Sequence, residues 1–394
     1  MKMYTAKKDL TSANVIVADD MFLTKDMPTT AGSKMLSGYM SLFDAEAKAK
    51  LDLAGYGIAG KAAVGEFGID LLGESSFDGA VLKNGALACA AAEIVLSGEA
   101  FAALGLDTNG AQRRAAAQAG LAYIKPTYGT VSRFGTIPAA CSGECVGVSA
   151  RSAADCYEVL SAISGHDDKD GTSLSAAQCA AALEKGAAPK RVAVLSDMVS
   201  CADADVQAKI SSAADAFKGA GAEVEVIECS VLMAARAAWN ILMCAELCNN
   251  VSRYDGIKYG YRAENFVGLD ELYVKSRTEA FGKLLKTAII YGSEALSTEN
   301  YMKVYDKALR IRRVISEKLA ELFAKYDVLL LPAVSKTAYT DEAEDACFVE
   351  NLYTAPASIS GAPSAIAGGV QLLGANFSDG KLLSYAEIIE KEGV

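Results

Sequence analysis

The chain has 394 residues, 52% of them hydrophobic and 22% charged, with a formal net charge of −11 and a single histidine, His166. That much apolar content excludes a disordered chain and suffices for one large packed core or two ordinary ones. The acidic total argues against a surface for phosphate backbones, so no direct nucleic-acid contact is expected, and one histidine excludes His-rich zinc sites and any mechanism that needs two imidazoles.

In chain order, the opening "MKMYTAKKDLTSANVIV" has no long apolar segment followed by a small-residue cleavage site, so no signal peptide is expected. Short runs then alternate with helical stretches. "NVIVA" (14–18), "YGIAG" (56–60), "FAALGL" (101–106), "LAYIK" (121–125), "RVAVLS" (191–196), "AEVEVI" (222–227) and "DVLLLPA" (327–333) read as strands. Residues 40–54, 203–219 and 300–325 carry helical periodicity, and "GAGA" after 203–219 is a glycine stop that feeds the next strand. The alternation predicts an α/β fold around a largely buried, mixed sheet. One unit spanning 1–394 is expected, and the polar stretch "GHDDKDGTSLS" (165–175) marks the place for any subdivision, near 165–200. No apolar run is read as reaching the roughly 18–20 residues of a membrane span, so no membrane contact is expected. The ten cysteines lie in apolar or helical surroundings, which predicts reduced thiols and a cytoplasmic location.

Five segments carry a resemblance: "TTAGSKM" (29–35), "KPTYGTVSRFG" (125–135), "AISGHDDKDGTS" (162–173), "SRYDGIKYGYR" (252–262) and "SRTEAFG" (276–282). With them the sequence resembles the amidase-signature family, and within it the A subunits of glutamyl-tRNA(Gln)/aspartyl-tRNA(Asn) amidotransferases. The match runs in order from about Ala13 to about Phe377. The resemblance implies an amidase-signature fold, a large mixed sheet surrounded by helices. It also implies amide hydrolysis by a serine, a second serine in a cis peptide and a buried lysine. A serine hydroxyl is a poor nucleophile at neutral pH and needs a base within hydrogen-bond reach.

Carried over residue by residue, the resemblance leaves each catalytic position without its chemical group. The lysine of an "IKDN" stretch falls on Ala18 in "VADD"; the cis serine of "GGSSGG" falls on Leu87, or on Ala86 or Ala88 if the alignment slides. The nucleophile of "DTGGS" falls on Ala111 in "DTNGA". The loop itself is partly kept, with Asp107, Thr108, Gly110 and Arg113 matching and Ala115 in place of a proline. Asn109 stands where the family has glycine, and asparagine is among the few residues that enter the left-handed region, so the loop is expected to keep its shape. By the same resemblance, the arginine that meets the substrate carboxylate is Arg312, and the aspartate that meets its amine is replaced by Asn351. Arg312 also has a plain reading, as one charge on a solvated helical face with Lys307, Arg310 and Arg313.

Three cysteines, Cys89, Cys141 and Cys145, are the candidates for a substitute nucleophile, which would need a thiol pKa lowered by a nearby cation. Cys141/Cys145 and Cys244/Cys248 share CxxxC spacing, but nothing in the sequence brings the pairs together, and they read, like Trp239, as core. No cofactor or metal is expected. Asn14 already opens the first matching strand, so the family's N-terminal helical region reads as truncated, and the apolar surface it covers is expected to need a partner or a second copy.

The expected function is a catalytically inactive homologue of the glutamine-hydrolysing A subunit, acting as a binding or structural subunit. Its expected partners are a B-like or C-like subunit or another copy of itself, and its expected ligand a small amide or amino acid. Two alternatives stand beside it: an amidase that uses a substitute cysteine, and a working amidotransferase of the A-subunit type.

Overall fold

The computed structural model describes residues 2–8, 14–340 and 346–393. Its strands are β1 (Tyr4–Lys7), β2 (Val15–Asp19), β3 (Gly57–Ala62), β4 (Leu82–Lys83), β5 (Ala86–Leu87), β6 (Ala102–Asp107) and β7 (Ala122–Lys125). They continue with β8 (Cys145–Ala150), β9 (Arg191–Leu195), β10 (Glu223–Ile227), β11 (Val328–Pro332), β12 (Ser364–Ala367) and β13 (Val370–Leu373). Eleven of them form one sheet in the order β1-β3-β2-β6-β8-β7-β12-β13-β11-β9-β10, while β4 and β5 make a separate hairpin. The sheet is mixed: β3, β2 and β6 are parallel, as are β11, β9 and β10, and the strands between are antiparallel. Strands from before and after 165–200 thus share one sheet.

Every residue of β6, β8, β11, β12 and β13 is buried, because helices cover both faces. That explains why these strands do not alternate apolar and polar residues. All seven runs read as strands form strands. β1, β8, β12, β13 and the β4–β5 hairpin were missed. Their sequences, such as "CVGVSA" and "SAIA", are short and rich in small residues, so they carry little strand propensity. At β8, β12 and β13 deep burial at the sheet centre overrides it, whereas β1 is an edge strand and β4 and β5 pair only with each other.

One expectation needs correcting. The stretch Ser230–Val251, 22 residues, is long and apolar enough to cross a membrane by length and composition. Here it is a core helix: Trp239, Leu242, Met243 and Cys244 are buried, and it packs against the helices Lys283–Ala295 and Asp306–Phe323. Its arginine, glutamate and asparagines interrupt the apolar pattern, which is why it reads as an ordinary helix rather than a span.

Candidate functional site

The parallel strands β2 and β6 end side by side, at Asp19 and Asp107. From Asp107 the chain makes a tight loop and enters the helix Ala111–Ala119. The turn depends on Gly110, whose φ is +86°; a Cβ there would stand 2.4 Å from Thr354. Asn109 does not take the left-handed conformation expected of it. Its contribution is through the side chain: Nδ2 donates to Ile69 O at 2.9 Å, and Oδ1 accepts from Asn351 Nδ2 at 2.9 Å.

Two fully buried arginines clasp this loop. Arg113 pairs with Asp107 through two hydrogen bonds of 2.9 Å and also donates to Thr354 O and Ser358 Oγ, each at 2.8 Å. Arg114 donates to the carbonyls of Asn109, Leu71 and Asp70. Burial raises the proton affinity of Asp107, but the Arg113 guanidinium outweighs it and holds the carboxyl below its usual range.

Beneath the loop is a void with about 20 Å³ of room for the centre of a water-sized molecule. Ala111, Asp19, Cys89, Gln112, Asp70 and Leu106 are among the residues that line it. Asp19 is buried; Oδ2 accepts from Gln112 Nε2 at 2.6 Å, and among the described residues Oδ1 has no hydrogen-bond partner. Burial pushes the Asp19 carboxyl well above the usual range, the Leu106 backbone amide offsets this in part, and the neighbouring charges of Asp20 and Asp107 add to it. Asp70 is pushed up to about 7 by burial and by Glu74, and its oxygens are occupied by Ser75 and Gly73.

The structure brings only some of the expected catalytic positions together. Ala111 lines the void. Ala18 does not; the next residue on β2, Asp19, does. Leu87 does not fill this void either. It lines an adjoining groove of about 190 Å³, shared with Lys83, Glu93, Gln118 and Thr337, and Cys89 forms part of both walls. A buried lysine does lie close by and escaped the sequence reading: Lys61 on β3 stands in register with Ala18. Burial lowers its pKa to about 8. It is turned to Phe22 O, Thr29 Oγ1 and Asp20, and is absent from the wall of the void.

The cysteines are poorly placed for nucleophilic work. Burial and the Asp19 charge push Cys89 up to about 12. Cys145 is raised by burial even though Lys125 Nζ lies 3.5 Å away, and Cys141 is raised by burial and by Glu144. A reactive thiol needs the opposite shift.

The two substrate-gripping positions belong to different networks. Arg312, half-buried, donates to Ser142 O at 3.3 Å, while Ser142 is in turn bound to Glu246. Its neighbours Arg310 and Arg313 form ion pairs along their own helix, with Asp306 and Glu317. Asn351 is fully buried against Asn109 and Asn240, and its Oδ1 has no partner among the described residues. Thr108 Oγ1 is likewise unpartnered. Sequence reasoning missed Asp19, Gln112, Asp70, Lys61 and Arg114. The doubled aspartate of "VADD" was the one available signal, since ionisable residues inside a buried strand need a reason.

Comparison with known proteins agrees with this architecture. The amidase family model matches residues 15–383. The chain is 36% identical over 363 residues to the A subunit of glutamyl-tRNA(Gln) amidotransferase from Lachnoclostridium phytofermentans, covering 89% of this chain and 74% of that one. It is also 36% identical over 395 residues to the protein of the same name from Acinetobacter baumannii, covering 93% and 79%. The crystal structure of the glutamyl-tRNA(Gln) amidotransferase A subunit from Thermotoga maritima superposes with a TM-score of 0.81 at 26% identity, over 99% of this chain and 87% of that one. A protein of a vestigial complex related to an s-triazine catabolic enzyme reaches the same TM-score at 22% identity, over 97% and 84%, a likeness of fold alone. This chain belongs to the amidase family and is similar to its amidotransferase A subunits.

Proposed function

We propose that this chain is a catalytically inactive member of the amidase family that serves as a binding or structural subunit. The observation that carries the reading is the wall of the void at Ala111. Among the residues lining it, the only strong nucleophile is Cys89, whose thiol burial pushes up to about 12. The base expected from the family is not there; Asp19 occupies the end of β2, and Lys61 is committed elsewhere. Losing one member of a serine triad lowers turnover by on the order of 10⁶-fold, and the members act as a unit. The loop is held by Arg113 and Arg114, which fits a fold kept for its shape. In a complex, it would sit against a B-like or C-like partner or a second copy of itself, and Arg312 and Asn351 would be what remains of a grip on an amino acid or amide.

A second reading, a working amidotransferase of the A-subunit type, is favoured by the 36% identity across 89% of the chain. Ammonia release from glutamine, asparagine and simple amides, measured at high protein concentration, separates the two. Release at the buffer rate is the expected result. Saturable release would overturn the inactive reading, and its loss on treatment with iodoacetamide would identify a cysteine as the nucleophile.

A further inference from the structure

The helix Lys283–Ala295 buries one face and leaves the other open. Leu284, Leu285, Ala288, Gly292 and Ala295 are buried, and the helix packs on Ala235–Val251. The fit is close: a Cβ at Gly292 would stand 2.0 Å from Cys244 O, so the helix cannot turn to hide its outer side. There Ile290 is 70% exposed and Tyr291 46%. The helix Gly268–Ala280, joined to it through Phe281 and Gly282, adds Val274 at 64%. The two helices flank a groove whose walls include Val274, Phe281, Ile289 and Ile290. Large aliphatic side chains gathered on an open face mark a contact surface.

The charges beside Ile290 run in an order that the helix does not itself favour. Lys283 and Lys286 lie near its start and Glu294 near its end, whereas a helix dipole stabilises acids at the start and bases at the end. Lys286 donates to Thr278 O at 3.0 Å, and Glu294 accepts from Asn300 Nδ2 at 2.6 Å. Among the described residues neither forms an ion pair, unlike Lys275 with Glu271 and Lys303 with Glu299 on the neighbouring segments. They cannot pair with each other, because eight residues of helix set them about 12 Å apart.

We propose that this open face is the contact surface of a symmetric dimer, with the same helix of a second copy packed antiparallel across a two-fold axis at Ile290. Lys286 and Glu294 lie four residues to either side of Ile290. Antiparallel pairing therefore sets Lys286 against Glu294 of the partner subunit, and Glu294 against Lys286 of the partner subunit, with isoleucine on isoleucine between them. A two-fold contact uses one patch twice, so the patch must complement itself. A cation, an aliphatic and an anion at equal spacing do so. Parallel pairing would set lysine on lysine, and a partner of uniform charge would satisfy only one end of the face. Each helix start also comes to lie beside the other's end, which offsets the unfavourable order of charge within each copy. A helix of 13 residues is about 20 Å long, too short by itself for the ~800 Å² per partner of a standard interface, so Val274 and the groove beside it take part. This pairing rests on the reading of the chain as a structural subunit and selects the second copy as its partner.

Sedimentation equilibrium of the purified chain over a wide range of concentration tests it. A reversible monomer–dimer equilibrium is expected, and Ile290→Asp is expected to leave only monomer. Lys286→Glu and Glu294→Lys, each alone, place like charges opposite one another and are expected to weaken dimerisation about tenfold or more. Mixed in equal amounts, these two variants bring glutamate to lysine at both contacts, and a heterodimer as tight as the parent dimer is expected. Thermal midpoints are expected to match the parent's, since none of the three side chains is buried. A chain that stays monomeric, a dimer that survives Ile290→Asp, or two single variants that fail to associate on mixing would overturn the proposal. Ammonia release from glutamine would instead overturn the inactive reading and leave the sedimentation unchanged, so the two failures are told apart.

Discussion

Asp107 and Asp19 end neighbouring parallel strands, and both are fully enclosed. Asp107 meets a bidentate arginine, which in turn holds Thr354 and Ser358 across more than two hundred residues of chain. Asp19 meets a glutamine amide, the Leu106 backbone amide and a void, but no cation. Burial acts on both, yet one carboxyl is driven down and the other up. The difference separates two demands. Groups that fix the loop are fully paired, because an unpaired charge there would destabilise the fold. Asp19, on the wall of the void beside Ala111, has no such partner, and its carboxyl is pushed up instead.

The strongest way to break the comparison is to unpair Asp107. Arg113→Met leaves that carboxyl without its guanidinium and removes a donor from Thr354 O and Ser358 Oγ, and a loss of about 3–5 kcal/mol is expected in urea denaturation. Next is Gly110→Ala, which forces a Cβ against Thr354 in a left-handed residue; a loss of roughly 1–3 kcal/mol is expected by the same measurement. Asp19→Asn sharpens the contrast through pH. The folded pKa of Asp19 is raised, so as pH climbs past about 4 the unfolded chain gives up a proton that the folded chain keeps, and native stability falls. The asparagine variant escapes this, so its stability relative to the parent is expected to rise from pH 4 to pH 7. Asp107 has the opposite sign: its stabilisation is present above about pH 4 and is lost as pH falls through its lowered folded pKa. The smallest effect is expected for Ala111→Ser, which restores a hydroxyl without a base in the same void; ammonia release from glutamine should stay at the buffer rate.

The loop sequence made much of this legible. "GLDTNGAQRR" placed the turn and its glycine, and Asp107, Gly110 and Arg113 all do structural work in it. What stayed hidden is the consequence of three-dimensional closure. Laying "IKDN" on "VADD" puts the lysine position at Ala18, while the wall of the void is made by Asp19, and a single residue decides which way a strand side chain points. Asn109 was expected to serve through its backbone and serves through its amide, because its partners Ile69 and Asn351 come from remote parts of the chain. The fold was readable where apolar runs are continuous, as at β2, β6, β9 and β11. It was unreadable at β8 and β12, which are rich in small residues and take their place between two buried neighbours each.

The clasp at Arg113 also dictates when this loop can form. Its acceptors at Thr354 and Gln371 lie 241 and 258 residues further along the chain. A ribosome delivering the protein from its N-terminus would have released the loop long before either acceptor left the exit tunnel. At about 5–20 residues per second, that gap lasts on the order of 10–50 s, with Arg113 exposed to solvent or to a chaperone throughout. The last tenth of the chain is therefore the latch for an element made in its first third, and a protein truncated before Thr354 would keep the loop's local bonds to Asp107, Ile69 and Leu71 without the latch that closes them.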